Sequence, residues 1–188
     1  MSASPSYSVG PYVLTVSISP GGIPKRPHRF AHALQAGLVG DGHNHAKHLR
    51  PDRALSIWDY EILNELVTEG FPLRPGAAGE NLTVDGLAVQ QMAPGTLLRI
   101  GDVLIRLEQP RKPCYVLDAI DPLLKDAVVG RFGYMASVLE GGTIEPGMPI
   151  EVLAAAPIDE DNEPPPWKES APAPGALAYH MLAGPGVG

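Results

Sequence analysis

Alternation of apolar and polar residues predicts short β-strands along most of the first 153 residues. The clearest case follows Pro11, where every second residue is apolar: Tyr12, Leu14, Val16 and Ile18. The residues between them are assigned to the opposite face of a half-buried strand: Val13, Thr15, Ser17 and Ser19. The same period, or a short apolar run between turn residues, predicts strands over residues 29–34, 53–57, 79–84, 97–100, 103–108, 134–139 and 149–153.

Two segments have helical rather than strand spacing. Residues 58–67 place four apolar side chains on one stripe, and Gly70 ends the helix: Trp58, Ile62, Leu63 and Leu66. A second helix is predicted after residue 114 from the spacing of Leu117, Ile120, Leu124 and Val128. With 21 Gly and 21 Pro, the chain has many turn-forming residues. The predicted fold class is therefore mainly β, with a few short helices, rather than a helical bundle.

The chain divides into three parts by composition. Residues 1–8 are small and polar and predict a flexible N-terminus, whereas residues 9–153 carry the strand and helix patterns. Residues 154–188 are rich in Ala, Pro and Gly and contain the acidic run Asp159-Glu160-Asp161, so we expect a mostly disordered tail or tether. A length of 188 residues fits one domain with its own core.

The formal charge of −7 argues against nucleic acid or an anionic membrane as the main partner. The N-terminus shows no basic segment followed by an apolar run, and no apolar stretch approaches the roughly 20 residues that span a bilayer. The single cysteine cannot form a disulfide within the chain. These features predict a cytoplasmic protein that binds neither nucleic acid nor membrane, and they leave the oligomeric state open.

The single cysteine, Cys114, is the leading candidate for chemistry. It follows Pro110-Arg111-Lys112-Pro113, so two cations lie beside the thiol in sequence. Neighbouring cations favour the thiolate, which attacks electrophiles, carries sulfur or binds a soft metal. The alternative is a small buried hydrophobic residue, as many lone cysteines are. The sequence does not decide whether Cys114 is exposed, and both thiol functions depend on its exposure.

A Gly- and His-rich loop between residues 37 and 52 brings together one aspartate and three histidines: Asp41, His43, His45 and His48. This density suggests a metal, but the spacing does not match structural zinc sites, and the one thiolate lies far along the chain. The alternative, which we favour, is a glycine-bent loop whose histidines form hydrogen bonds and line a pocket.

Five cations lie beside predicted strand ends or loops: Arg50, Arg53, Arg111, Lys112 and Arg131. Arginine can bind phosphate through two donors, so converging loops would form a phosphate site; otherwise these are solvated surface charges. The segment Gly76–Leu82 adds glycines that permit close backbone approach to a ligand. It also contains Asn81, whose amide both donates and accepts hydrogen bonds, as a heterocycle edge requires. Alternatively, this segment is an ordinary turn before a strand.

Taken in this order, five stretches resemble the MOSC domain, the module named after the C-terminal part of molybdenum cofactor sulfurases. They are Gly37–Asp41 with His43; His48 with Arg53–Leu55; Gly79–Val84; Gln109–Arg111 with Pro113–Cys114; and Gly130–Arg131 with Gly133–Tyr134 and Gly141–Gly142. The resemblance covers residues 9–153. It implies a barrel-like mixed sheet with a few helices, which agrees with the strand pattern.

The resemblance also implies an association with the pterin-based molybdenum cofactor, molybdopterin. The family cysteine that matches Cys114 is thought to carry sulfur as a persulfide or to ligate molybdenum. By the same match, four residues are candidates to hold the pterin or its phosphate: Arg53, Asn81, Arg111 and Arg131. His43 and His48 are candidates to line the site. The implied partners are a separate cysteine desulfurase, or a molybdoenzyme or electron donor.

The chain departs from the family pattern in three ways. Gly147-Met148 stands where the family often has Gly-Asp, so one carboxylate is missing. The full sulfurases also carry a cysteine desulfurase domain that uses pyridoxal phosphate, and this chain has no room for one. We therefore expect no pyridoxal phosphate here, since that cofactor belongs to the larger relatives. The extra segment that precedes the domain in amidoxime-reducing relatives is also absent from this sequence.

Three functions are compatible with the sequence. In the first, Cys114 accepts sulfur from a desulfurase and passes it to a metal centre. In the second, Cys114 ligates molybdenum in a reductase of N-hydroxylated compounds, which needs an external electron donor because the chain lacks the cysteines for an iron–sulfur cluster. In the third, the protein is a non-catalytic binding module, and the acidic, Pro-rich tail is its interaction element.

Overall fold

A computed structural model describes residues 10–42 and 51–154 of the chain. Within these ranges the backbone forms strands β1 (Tyr12–Ile18), β2 (Arg26–His28), β3 (Ala31–Leu34), β4 (Gly37–Leu38), β5 (Leu55–Asp59), β6 (Leu82–Asp85), β7 (Leu97–Ile100), β8 (Val103–Pro110), β9 (Tyr134–Glu140), β10 (Gly142–Ile144) and β11 (Glu151–Ala154). The helices are α1 (Tyr60–Thr68) and α2 (Leu124–Ala127). None of the helices in this part of the chain is long and apolar enough to cross a membrane.

Two sheets organise these strands. The larger has the order β11-β7-β8-β9-β5-β6-β1-β2, and the smaller has the order β10-β3-β4. In the larger sheet only β5 and β6 run parallel, so it is mixed. The sheet curls until the segment before β11 meets β1, where Ile150 N donates to Pro11 O and Val13 N donates to Met148 O, each at 2.9 Å. This architecture confirms the mainly β, barrel-like prediction.

Strand β1 is where the predicted alternation is wrong. Val13 and Val16 are both fully buried, although the alternation assigned them to opposite faces. The pairing of β1 with β6 shifts register between Val13 and Thr15, which is the mark of a β-bulge. An extra residue at a bulge changes which residues point into the core, so the period of two breaks at that point.

The sequence predicts that the first helix begins at Trp58, but Trp58 belongs to β5 and α1 begins at Tyr60. All five residues of β5 are buried, since both faces of this central strand are covered. Leu55 and Ile57 join the core enclosed by the large sheet, whereas Trp58 joins a second core with residues of α1 and α2. The apolar stripe that predicted a helix from residue 58 therefore combines a buried strand end with the inward face of α1.

The second predicted helix is divided in the structure. A 3₁₀ helix covers Tyr115–Ala119, and α2 begins only at Leu124. Pro122 lies between them, and the neighbouring Asp121 carboxylate accepts a hydrogen bond from Leu123 N at 2.8 Å. Proline cannot continue a helix from the preceding turn, so the apolar spacing is used by two short helices instead of one.

The second core positions the residues around Cys114. Trp58 Nε1 donates to the carbonyl of Arg131 at 2.8 Å, and the Trp58 and Phe132 rings meet edge to face with centroids 5.3 Å apart. Both aromatic side chains are buried. Such aromatic pairs contribute about 0.5–1.5 kcal/mol beyond simple burial. The segment after α2 is therefore held rigidly against β5, where Phe132 also meets Arg111 of the loop that leads to Cys114.

Candidate functional site

The thiol of Cys114 is exposed to solvent. The residue has an extended backbone, with φ −137° and ψ 168°, and directly precedes the 3₁₀ helix Tyr115–Ala119. Its carbonyl accepts a hydrogen bond from Leu117 N at 3.1 Å, which anchors the start of that helix. The structure therefore excludes the alternative of a buried hydrophobic cysteine. A reactant in solution or on a partner protein can reach the sulfur.

Arg111, three residues before the thiol, is built into the protein rather than extended into solvent. Its Nη2 donates to Ala78 O at 2.9 Å, and its Cζ lies 3.9 Å from the centroid of the Phe132 ring. The Nη1 atom is buried and has no hydrogen-bond partner among the described residues. Burial lowers the pKa of Arg111 to about 10, an effect that attraction to Glu80 and to Cys114 opposes. Arg111 is therefore a fixed cation beside the thiol at neutral pH.

Glu80 is a fully buried carboxyl group that also acts on Arg111. Its Oε1 accepts hydrogen bonds from Gly76 N at 2.6 Å and from Thr83 Oγ1 at 3.2 Å. Burial raises the pKa of Glu80, whereas the positive charge of Arg111 and these hydrogen bonds lower it. Glu80 lies in the Gly76–Leu82 segment, but the sequence alone did not assign it a role. Its burial depends on the fold.

Gly76 of the Gly76–Leu82 segment meets protein backbone, whereas Gly79 faces the side chains of Ile23 and Arg111. Gly76 has φ +83°, and a Cβ placed there would lie 2.5 Å from Lys25 O. Lys25 N also donates to Gly76 O at 2.8 Å. The space that the missing side chain leaves at Gly76 is therefore occupied by the backbone of the segment before β2. The prediction that glycine lets a ligand approach the backbone finds no support at this position.

Asn81 connects three parts of the chain through its side-chain amide. Oδ1 accepts hydrogen bonds from Ser56 N at 3.1 Å and Ser56 Oγ at 3.2 Å. Nδ2 donates to Ser17 O at 3.2 Å and to Asp41 Oδ2 at 2.9 Å. Two donors and two acceptor positions complete the capacity of an amide. In this arrangement Asn81 holds the framework of the site, and its predicted contact with a pterin stays a prediction.

Asp41 and Lys25 form a buried ion pair that the sequence did not predict. Both carboxylate oxygens of Asp41 contact Lys25 Nζ, and Oδ1 also accepts a hydrogen bond from Ser19 N at 3.0 Å. The side chains are only 10% (Lys25) and 1% (Asp41) exposed. Burial lowers the pKa of Lys25, and Asp41 opposes this shift. The pair anchors the segment that immediately precedes His43.

The other two candidate arginines lie in different surroundings. Arg53 ends the 3₁₀ helix Pro51–Arg53, and its Nε is buried without a partner in the described ranges. Arg131 directs both terminal nitrogens at Glu69, at 2.7 Å each, while its Nε donates to Ala127 O at 2.8 Å. Arg131 thereby ties α2 to the end of α1, and its guanidinium is already paired with a carboxylate.

The remaining cations and the histidines complete the set of candidates. Lys112 is exposed beside the thiol. His43, His45, His48 and Arg50 lie outside the residues that the structure describes. Among the described residues, no group of three or more His, Cys, Asp or Glu could hold a metal ion. The roles predicted for the histidines therefore stay predictions.

The described residues match the molybdenum cofactor only in part. The exposed sulfur of Cys114 suits a soft metal as a ligand. However, one of the arginines predicted to hold the pterin phosphate, Arg131, is already paired with Glu69, and the unpartnered Nη1 of Arg111 is buried. The arrangement supplies an accessible thiol beside a fixed cation, and it leaves two buried guanidinium atoms without a partner among the described residues, Arg53 Nε and Arg111 Nη1.

Comparison with curated proteins connects the chain to bacterial and fungal relatives. It is 33% identical to YflK of Bacillus subtilis (strain 168) over 142 residues, which cover 71% of this chain and 63% of YflK. It is 34% identical to YiiM of Escherichia coli (strain K12) over 130 residues, 64% of this chain and 58% of YiiM. A reductase of Gibberella moniliformis is 29% identical over 126 residues, 62% of this chain and 22% of the reductase. In these alignments the chain spans about three fifths of the length of the two bacterial proteins.

The folds also agree. The crystal structure of YiiM from Escherichia coli matches with a TM-score of 0.61 and 25% identity, and the match covers 95% of this chain and 87% of that one. The sequence profile of the MOSC domain matches residues 44–151, which are more than half of the chain and include Asn81, Arg111 and Cys114. The chain therefore belongs to the MOSC domain family, which is associated with the molybdenum cofactor.

Proposed function

We propose that this protein is a sulfur carrier in which Cys114 accepts a sulfur atom as a persulfide and passes it to a metal or cofactor centre. The exposed thiol of Cys114 carries the proposal, because a sulfur carrier must present its sulfur to both a donor and an acceptor. The fixed positive charge of Arg111 close to the thiol supports the same role. A cationic neighbour favours the thiolate, which is the nucleophilic form.

The proposed loading step is a thiol–persulfide exchange. The Cys114 thiolate attacks the terminal sulfur of a donor persulfide, so an S–S bond forms to Cys114 while the S–S bond of the donor breaks. The donor leaves as a thiolate, and no external oxidant or reductant is consumed. A separate cysteine desulfurase would supply the donor persulfide. Arg111 would stabilise the negative charge both of the attacking thiolate and of the persulfide product.

Loading of Cys114 can be tested by intact-mass spectrometry of the full chain. After incubation with a cysteine desulfurase and cysteine, we expect the wild-type chain to gain the mass of one sulfur atom, which a thiol reductant removes. Cys114→Ser removes the only thiol and is expected to gain none. Lys112→Gln is a matched control that should load like the wild-type chain. The substitution removes an exposed charge beside the thiol but leaves Arg111 in place. An unmodified wild-type chain, or a Cys114→Ser variant that gains sulfur, would contradict the proposal.

A second candidate function is a molybdenum-dependent reductase of N-hydroxylated compounds, with Cys114 as a metal ligand. The similarity to the Gibberella moniliformis reductase favours it. A bound molybdenum cofactor would supply a redox-active metal for two-electron reduction. For this chain, Cys114 would contribute the sulfur ligand, and an external electron donor would be required. The pairing of Arg131 with Glu69 places this function second.

Metal content distinguishes the two functions. The full chain and Cys114→Ser are expressed in a host that makes the cofactor, and molybdenum and pterin are measured per chain. The carrier proposal expects little molybdenum in either protein, because the thiol carries sulfur instead of ligating the metal. Stoichiometric molybdenum in the wild-type chain that is lost in Cys114→Ser would instead establish Cys114 as a metal ligand.

A further inference from the structure

A shallow groove on the outer surface, remote in sequence from Cys114, exposes several apolar side chains. It has a volume of about 280 Å³, and we call its lining the basic groove: Ile18, His28, Arg29, Phe30, Ala31, His32 and Val39. Phe30 is 48% exposed and Val39 is 51% exposed. Leu34, 53% exposed, lies on the same face of β3 as His32, because burial alternates along that strand. These exposed apolar side chains form a patch of the kind that marks an interaction site.

The surroundings of the basic groove are positively charged in a protein that is negatively charged overall. Residues 25–40 contain three Lys or Arg and two His but no Asp or Glu. All three residues of β2, including Arg26 and His28, are exposed, as is Arg29. Asp41, the next acidic residue along the chain, is already paired with Lys25. The basic groove therefore offers cations and aromatic faces together, which suits an acidic segment with apolar or aromatic residues.

A segment with that chemistry lies in this chain, beyond the described residues. Residues 158–167 contain four acidic side chains and no basic one, and they end in three prolines and a tryptophan: Asp159, Glu160, Asp161, Glu163, Pro164–Pro166 and Trp167. Consecutive prolines favour the polyproline II conformation, which binds aromatic-lined grooves at a low entropic cost. We propose that residues 158–167 bind in the basic groove of the same molecule, with the acidic run against Arg26 and Arg29 and the Pro-Trp end against Phe30.

The acidic run begins five residues after Ala154 and Trp167 lies 13 residues after it, so the connecting chain reaches distances comparable with the size of the domain. Strand β11 ends at Ala154, about 13 residues before Trp167, and an extended chain of that length reaches up to roughly 45 Å. A folded domain of about 145 residues has a radius of gyration of only about 15 Å. Tethering gives the segment an effective concentration in the millimolar range, so even weak contacts suffice for binding within one molecule. The proposal does not depend on the sulfur-carrier function.

Tryptophan fluorescence of the full chain tests the contact. The chain has two tryptophans, and Trp58 is fully buried, so Trp167 is the one available to an external quencher when it is not bound. We expect acrylamide to quench wild-type fluorescence weakly. Trp167→Phe identifies the signal of residue 167 by difference. Strong quenching of this signal in the wild-type chain would overturn the proposal.

Variants of the basic groove identify the binding site. Phe30→Ala and Arg29→Glu remove an exposed ring and reverse an exposed charge, and we expect each to raise the quenching constant of Trp167 about twofold or more. Arg74→Glu is the matched control, since Arg74 is exposed in the loop between α1 and β6 and should change nothing. Combining Arg29→Glu with Glu160→Arg should restore protection, because the swap recreates the opposite charges.

Two results would overturn the proposal even if Trp167 is protected. The first is unchanged protection in both Phe30→Ala and Arg29→Glu, because the segment would then bind elsewhere. The second is protection that falls on dilution together with a dimer in sedimentation, because the segment would then bind a second copy of the chain. Circular dichroism of each variant confirms that the fold is retained before quenching is compared.

Discussion

Replacement of Gly133 by alanine is expected to lower the free energy of unfolding by more than about 4 kcal/mol, which is exceptional for one substitution. Gly133 has φ +75°, a conformation that other residues adopt only with strain. A Cβ at this position would lie far inside the contact distance of Ile57 O and 3.0 Å from Trp58 Cα. Both atoms belong to the backbone of β5, which cannot move without disrupting its pairing with β6 and β9.

The same residue connects the core to the thiol. Gly133 N donates to Gln90 Oε1 at 2.7 Å, and Gly133 O accepts a hydrogen bond from Arg111 N at 2.9 Å. A displaced residue 133 therefore moves Arg111, and Cys114 follows three residues later. Any Gly133→Ala chain that still folds is expected to show an altered rate of alkylation at Cys114.

Gly147→Ala is the control that separates strain from steric conflict. Gly147 also has a positive φ, +90°, but a Cβ there meets nothing within 4 Å. Its substitution is expected to cost only about 1–2 kcal/mol, the cost of the left-handed conformation alone. Urea unfolding of both full-length variants, followed by circular dichroism, measures the difference. Similar losses for the two variants would show that Gly133 does not lie as close to β5 as the structure indicates.

The strands were predictable wherever local pattern and burial agree. Val103, Ile105 and Leu107 alternate cleanly, and the two strands predicted over residues 97–100 and 103–108 are β7 and β8, whose pairing no bulge interrupts. The pattern failed where tertiary structure overrides local spacing. The bulge in β1 depends on its pairing with β6, and the assignment of Trp58 to a strand depends on a second core on the far side of β5.

The site was predictable at the level of residue type but not of environment. Cys114 was identified because it is the only thiol and follows two cations. Its exposure, the stacking of Arg111 on Phe132 and the burial of Glu80 arise only when β8, the segment after α2 and the loop before β6 come together. Lys25 was missed for the same reason, since a lysine in sequence resembles a surface residue until the fold buries it.

Replacement of Asp41 by asparagine is expected to cost about 3–5 kcal/mol, because it removes the carboxylate that contacts the buried ammonium of Lys25 and leaves only the weaker attraction of Glu80. Asparagine keeps the shape of the side chain and an oxygen that can accept the hydrogen bond from Ser19 N. Its amide nitrogen, however, is a donor that replaces the acceptor oxygen Oδ2. It would face two other donors, Lys25 Nζ and Asn81 Nδ2. The loss therefore combines a buried charge that has lost its contacting partner with mismatched hydrogen bonds at the segment preceding His43.

The dependence of this loss on pH follows from Lys25. Burial lowers the pKa of Lys25 in the folded protein, and Asp41 opposes that shift, so removal of Asp41 lowers the pKa further. The unfolded chain, with the ordinary value of 10.5, then binds more protons than the folded chain at pH values between the two pKa values. Stability therefore rises with pH in such a window. Wild type also gains stability in its own, narrower window, so the deficit of Asp41→Asn is expected to shrink between the folded-state pKa values of Lys25 in the variant and in wild type, both of which lie below 10.5.

Urea unfolding of four full-length chains measures the effect: wild type, Asp41→Asn, Lys25→Met, and the double variant. The double variant removes both charges, so we expect it to be more stable than Asp41→Asn alone, with a coupling energy of about 1–3 kcal/mol. Glu140→Gln is the control, since it breaks an exposed pair with Arg99 and should change stability far less. If Asp41→Asn costs no more than Glu140→Gln, the charge on Lys25 is already neutral or solvated, and the buried pair does not stabilise this segment.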